Sequence, residues 1–146
     1  MVNLFRGDVL SSTADIICHQ VNCKGVMGAG LAKQIKAKYP ELFTQYKSMC
    51  AEYGYMLLGD IFLYKAEGGQ CIANLFAQNG FGRDKRYTDY KAFRNCLKSL
   101  KKVVSEDKKV AFPYNIGCGL AGGDWDTIYS IIKEEMADYQ IEIWCL

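Results

Sequence analysis

The sequence predicts one α/β domain: a three-layer α/β/α sandwich around a mixed, largely parallel central sheet. Three observations predict it. Strand-like and helix-like segments alternate along the whole chain, the order that gives layered α/β folds. Two of the strand-to-helix joints are glycine loops of one kind, as expected at the carboxyl ends of neighbouring parallel strands. The 146 residues, half of them hydrophobic and only two of them proline, suffice for a single domain, 1–146, with one real core.

Each element has its own warrant. Residues 2–6 read as a short strand, closed by a Gly7-Asp8 turn and the polar connection Ser11-Ser12-Thr13. Residues 14–20 form an apolar strand suited to burial on both faces. A helix starting near Ala29 carries Leu31, Ile35 and Tyr39 at helical spacing. Pro40 stops it and starts the next helix, which runs to about residue 52 with Leu42, Tyr46, Met49 and Cys50 on one face. Strands at 60–65 and 71–77 flank the turn Glu67-Gly68-Gly69-Gln70, which predicts an antiparallel hairpin. Residues 78–87 form a polar loop with glycines, mixed charges and aromatics able to line a ligand. Thr88 or Asp89 caps a helix to about 106, with Phe93, Leu97, Leu100 and Val104 as its stripe. A strand at 109–114, a helix from Asp124 to about 137 and a strand at 140–146 complete the chain.

Composition excludes several classes. The net charge is +2 and the lysines are spread out, unlike the concentrated basic face of a nucleic-acid binder. Lys98, Lys101 and Lys102 fit a solvated helix face. Seven cysteines, an odd number without a paired framework, read as reduced thiols of a cytoplasmic protein. Cys18, His19 and Cys23 do not make a metal site, because neighbouring strand residues face opposite ways and no second ligand cluster exists. The first residues lack the pattern of a signal peptide, and no apolar run would span a membrane.

The two glycine loops carry the chemistry. The first is His19-Gln20-Val21-Asn22-Cys23-Lys24-Gly25-Val26-Met27-Gly28-Ala29-Gly30-Leu31-Ala32, and the second is Asn115-Ile116-Gly117-Cys118-Gly119-Leu120-Ala121-Gly122-Gly123. Glycines let the backbone approach a ligand, and amides in the first turn of a helix have no intrahelical acceptor. Two such loops facing each other would hold a diphosphate. Residues 117–122 also satisfy G-x-G-x-x-G, but a Rossmann site belongs in the first βαβ unit, and here only one helix and one strand follow.

Together with the Gly7-Asp8 turn and the closing strand, these motifs resemble the macrodomain family. The likeness is strongest to the terminal ADP-ribose protein glycohydrolase (O-acyl-ADP-ribose deacylase) group and the yeast-type ADP-ribose-1″-phosphate phosphatases. The resemblance implies an ADP-ribose site without metal or cofactor. It places Asp8, with Val9 beside it, at the adenine amino group. It puts Asn22 on the distal ribose, and Gly25, Val26, Met27, Gly28, Ala29, Gly30 and Leu31 around that ribose and its phosphate. Ile116, Gly117, Cys118, Gly119, Leu120 and Ala121 would present amides to the diphosphate, and Trp144 would enclose the adenine or serve as a core residue.

The chain departs from the deacylase pattern. The lysine and aspartate used by that group fall at Gln78 and Ala121, and the aspartate of another hydrolase group falls at Ala32. Lys85 and Asp124 are displaced substitutes. The catalytic candidates are Asn22, His19 and Gln78. His19 either assists phosphate transfer or is a buried, hydrogen-bonded strand histidine. Cys118 is either a thiolate nucleophile or a donor of its amide alone. Arg83, Lys85 and Arg86 either clamp a terminal phosphate or form a solvated charge run. The expected activity is hydrolysis of a substituent on the distal ribose, in O-acyl-ADP-ribose, ADP-ribose-1″-phosphate or ADP-ribosylated protein. The alternative is a reader that binds ADP-ribose without chemistry.

Overall fold

A computed structural model describes residues 1–146. Six strands form one sheet: β1 (Val2–Arg6), β2 (Ile16–Val21), β3 (Ile61–Lys65), β4 (Cys71–Phe76), β5 (Lys109–Pro113) and β6 (Gln140–Cys145). Their spatial order is β1-β6-β5-β2-β4-β3. All neighbours are parallel except β3, which runs antiparallel to β4 as the hairpin turn predicts. The four helices are α1 (Gly30–Lys38), α2 (Pro40–Tyr53), α3 (Tyr90–Val103) and α4 (Trp125–Glu135).

The alternation of side chains along the strands sorts the core into two layers. On one face Ile17, Val21, Ile72, Phe76 and Ala111 meet Ile35 of α1 and Leu42, Tyr46 and Cys50 of α2. On the other, Cys18, Leu75, Val110, Phe112 and Ile141 meet Phe93, Leu97 and Leu100 of α3 and Ile128 and Ile132 of α4. Full burial of each large apolar side chain contributes about 2 kcal/mol. The result is the α/β/α sandwich, with two helices on each side.

Several boundaries differ from the sequence pattern. The helix α3 stops at Val103, because Val104 is extended and the Ser105 hydroxyl donates to the Asp107 carboxylate in the turn that follows. Short 3-10 turns occupy Val9–Ser11 and Gly54–Leu57. Of the α1 stripe only Ile35 is buried; Leu31 lines a groove instead. No helix is long and apolar enough to cross a membrane.

Candidate functional site

β2 and β5 pair only at Ile16–Val110 and Ile17–Ala111. Beyond that point β2 continues along β4 as far as Val21–Phe76, while β5 continues along β6 as far as Pro113–Trp144. The carboxyl halves of β2 and β5 therefore part, and a groove of about 560 Å³ opens between them. Loop 22–30 leaves β2 on one side of this crevice and loop 115–123 leaves β5 on the other. Open α/β sheets place ligands at such a point.

The groove presents main-chain donors. Gly28, Ala29, Gly30, Leu31 and Ala32 line it. Ala29 caps α1 without a side-chain hydrogen bond, so the amides of the first turn remain unpaired. Across the gap Gly117, Gly119, Leu120 and Ala121 line the groove, and their amides have no acceptor within the protein. The amides of Ile116 and Cys118 turn inward to Pro113 O and Asn115 O at 3.1 and 2.8 Å. The α4 N-terminus is closed by its own cap, since the Asp124 carboxylate accepts from the Thr127 amide and hydroxyl at 3.0 and 2.9 Å. The second loop thus offers amides of the turn itself, not of a helix end. At Gly117 φ is +72°, and a Cβ there would lie 2.5 Å from Gln20 Oε1. A side chain there would be strained by the backbone and would displace the Gln20 amide.

Asn22 organises the first loop. Its Oδ1 accepts from the Lys24 amide at 2.9 Å, the Val26 amide at 3.3 Å and the Tyr46 hydroxyl at 2.8 Å. Its Nδ2 donates to Val26 O at 2.8 Å. Tyr46, fully buried on α2, also donates to Asn22 O at 2.7 Å. One amide hydrogen of Asn22 remains for a ligand. Desolvation raises the Tyr46 phenol well above its ordinary range, so it stays a donor.

The groove's floor is made by Gln20, His19 and Gln78. Gln20 Nε2 donates to Gln78 Oε1 and to the Thr88 hydroxyl, both at 2.8 Å. Thr88 donates to Gly117 O at 2.5 Å, and Gln78 Nε2 donates to Gly80 O at 2.8 Å. One glutamine thereby ties β2, the loop after β4, the start of α3 and the second glycine loop. His19 is buried, with Nε2 2.5 Å from Asn74 Oδ1. Asn74 Nδ2 donates to Phe62 O at 2.9 Å, so its oxygen faces the ring and His19 Nε2 carries the proton. Nδ1 is then a bare acceptor, and it has no partner in the protein. Burial lowers the His19 pKa to about 4, against a smaller rise from the Asn74 bond. The ring is therefore neutral at physiological pH.

Other expected residues lie elsewhere. Asp8 caps the Val9–Ser11 turn by accepting from the Leu10 amide at 2.9 Å, Val9 is buried, and neither lines the groove. Gly25 backs onto Lys47 and Cys50 of α2, and the Met27 side chain is buried in the core beneath the loop. Trp144 stacks on Phe5 at 4.9 Å and donates Nε1–H to Glu142 at 2.8 Å. The Cys118 thiol donates to Ile116 O at 3.3 Å, and burial pushes its pKa up to about 11, which opposes a thiolate. Lys85 lies over the Tyr87 ring at 5.1 Å and Asp124 is the α4 cap, so neither faces the groove. Val26 and Ile116 do line it.

The sequence pattern missed Gln20, Tyr114 and Asn115 as lining residues, and Gly82 with Phe81 and Arg83 form the far wall. The signal for Gln20 was its polarity at the end of an apolar strand. Among all lining residues Arg83 is the sole formal charge; no carboxylate, lysine, hydroxyl-bearing serine or threonine, or thiol reaches the groove.

A family model, Macro domain, matches residues 18–132. The chain belongs to the Macro domain family. Among its relatives is the ADP-ribose 1″-phosphate phosphatase of Saccharomyces cerevisiae, 36% identical, with 99% of this chain and 98% of the relative covered. The DNA ADP-ribosyl glycohydrolase of Mycobacterium tuberculosis is 31% identical over 88% of this chain, which spans only 36% of that relative's length. Among solved structures, a Bacteroides thetaiotaomicron protein superposes with a TM-score of 0.88 at 26% identity, each chain covered in full. The macrodomain of Mycobacterium tuberculosis DarG superposes with a TM-score of 0.84 at 27% identity, covering 99% of this chain and 97% of that one.

Proposed function

We propose that this macrodomain binds ADP-ribose and hydrolyses a substituent on its distal ribose. The observation that carries the reading is the pair of amide-lined loops on either side of the crevice between β2 and β5. Unpaired backbone amides suit a diphosphate, which they grip by charge-assisted hydrogen bonds. The relatives' names support the substrate class: ADP-ribose 1″-phosphate phosphatase for the yeast protein, DNA ADP-ribosyl glycohydrolase for the mycobacterial one. A Thermosipho africanus protein of the same fold was solved in complex with ADP-ribose.

With no lysine or acid in the groove, water is the nucleophile. The remaining Asn22 amide hydrogen and the substrate's own phosphate position it; neutral His19 lies in the floor beneath, its Nδ1 shut off from solvent and without a partner. Gln78 is held by Gln20 and Gly80 and shapes the wall. In this reading the protein contributes orientation, and the leaving group departs without a protein acid to protonate it.

Product analysis tests the proposal, with O-acetyl-ADP-ribose, ADP-ribose-1″-phosphate, ADP-ribosylated protein and ADP-ribosylated DNA as substrates. Turnover of at least one is expected, and no turnover of any would reject the hydrolase. The bare groove supports a second reading, a non-catalytic reader. Calorimetry showing tight ADP-ribose binding together with no turnover would establish it.

A further inference from the structure

We propose that Arg83 selects for ADP-ribose derivatives that carry an additional anionic group, a phosphate, on the distal ribose. This rests on the ADP-ribose reading above. Three cations lie in loop 78–87, and the structure separates them. Lys85 sits over the Tyr87 ring at 5.1 Å and Arg86 over the Tyr90 ring at 4.5 Å, and neither lines the groove. Arg83 lines it, and its guanidinium has neither an ion pair nor a hydrogen bond within the protein. The nearby acid, Asp84, is engaged by the Tyr87 hydroxyl at 2.6 Å. A guanidinium left unpaired at the only charged position of a groove matches a bidentate anion.

Topology says which part of the ligand it meets. The amide loops follow β5 and β2, and Arg83 follows β4, the next strand outward. A diphosphate gripped between the loops directs one sugar toward β6 and the other toward β4. The proposed function sets the distal ribose at Asn22, and the next residue, Cys23, donates its amide to Asn79 O at 3.0 Å, so the sugar on the Arg83 side is the distal one. The Arg83 loop is anchored there. The Tyr87 and Thr88 amides donate to Ala121 O at 2.8 and 3.2 Å, and Gln78 and Thr88 form a bridge beneath it. The ring of Phe81, 53% exposed, shares this wall.

The test is calorimetry with two ligands, ADP-ribose and its 1″-phosphonate analogue, which cannot lose the group by hydrolysis. Wild-type protein is expected to prefer the analogue by about tenfold or more. Arg83→Gln should abolish that preference while ADP-ribose affinity stays within about twofold, and Arg83→Lys should restore part of it. Lys85→Gln should change neither. Equal weakening of both ligands by Arg83→Gln would put Arg83 on the diphosphate and overturn the proposal, as would an undiminished preference. Failure of wild-type protein to bind ADP-ribose at all would instead refute the ADP-ribose reading.

Discussion

Acidification from about pH 7.5 to about pH 5 should destabilise this protein through one residue. His19 is the only histidine, so no other imidazole titrates in that window. Burial lowers its folded pKa to about 4 from an ordinary 6.5. Between those values the unfolded chain binds a proton that the folded chain refuses, so stability falls as pH falls. The loss starts near pH 6.5, reaches about 2 kcal/mol at pH 5, and approaches about 3 kcal/mol near pH 4. For a domain of this size, 2 kcal/mol corresponds to a drop in Tm of roughly 6 °C. Urea unfolding at the two pH values measures it, with His19→Gln as the control whose acid slope should be nearly flat whatever its absolute stability. An NMR titration of the single imidazole reads the folded pKa directly. The reasoning fails if His19→Gln keeps the wild-type acid slope, or if the imidazole titrates near 6.5 in the folded protein.

Other substitutions test the site piece by piece. Gly117→Ala places a methyl 2.5 Å from Gln20 Oε1 at φ +72°; a stability loss of about 2 kcal/mol and at least about tenfold weaker ADP-ribose binding are expected by calorimetry, and unchanged affinity would contradict the cradle. Tyr46→Phe removes both hydroxyl bonds to Asn22 and should cost about 1–3 kcal/mol in urea unfolding, with weaker ligand binding as the first loop loosens. Cys118→Ser should leave binding and any turnover within about twofold, because the thiol bonds inward to Ile116 O; loss of turnover would revive the thiolate.

The fold was legible because period and punctuation agreed. The apolar run at 14–20, the Glu67–Gln70 turn and the Phe93-Leu97-Leu100 stripe each have one physical solution, and all recur in the structure. The pairing of the two glycine loops was legible too, since strand–loop–helix units in an open sheet converge on one edge. The allocation of hydrogen bonds was not. Nothing in the string reveals that Asn22 Oδ1 is shared among Lys24, Val26 and Tyr46, because Tyr46 comes from a different element. Gln20 was overlooked for a related reason: its partners at 78 and 88 lie far along the chain. Cys118 and Trp144 show the converse, residues of suggestive type whose polar atoms satisfy local needs.

A cradle built of peptide N–H groups has a consequence for change over time. Side-chain exchange cannot delete it, since every residue but proline supplies the same donor; only a few tight turns, Gly117 foremost, are irreplaceable. On the proposed function, retention of the nucleotide and treatment of whatever hangs from its far sugar would therefore be governed by separate positions. On that reading the wall formed by Gln78, Phe81 and Arg83 could be rewritten toward a new attached group while the grip stayed intact.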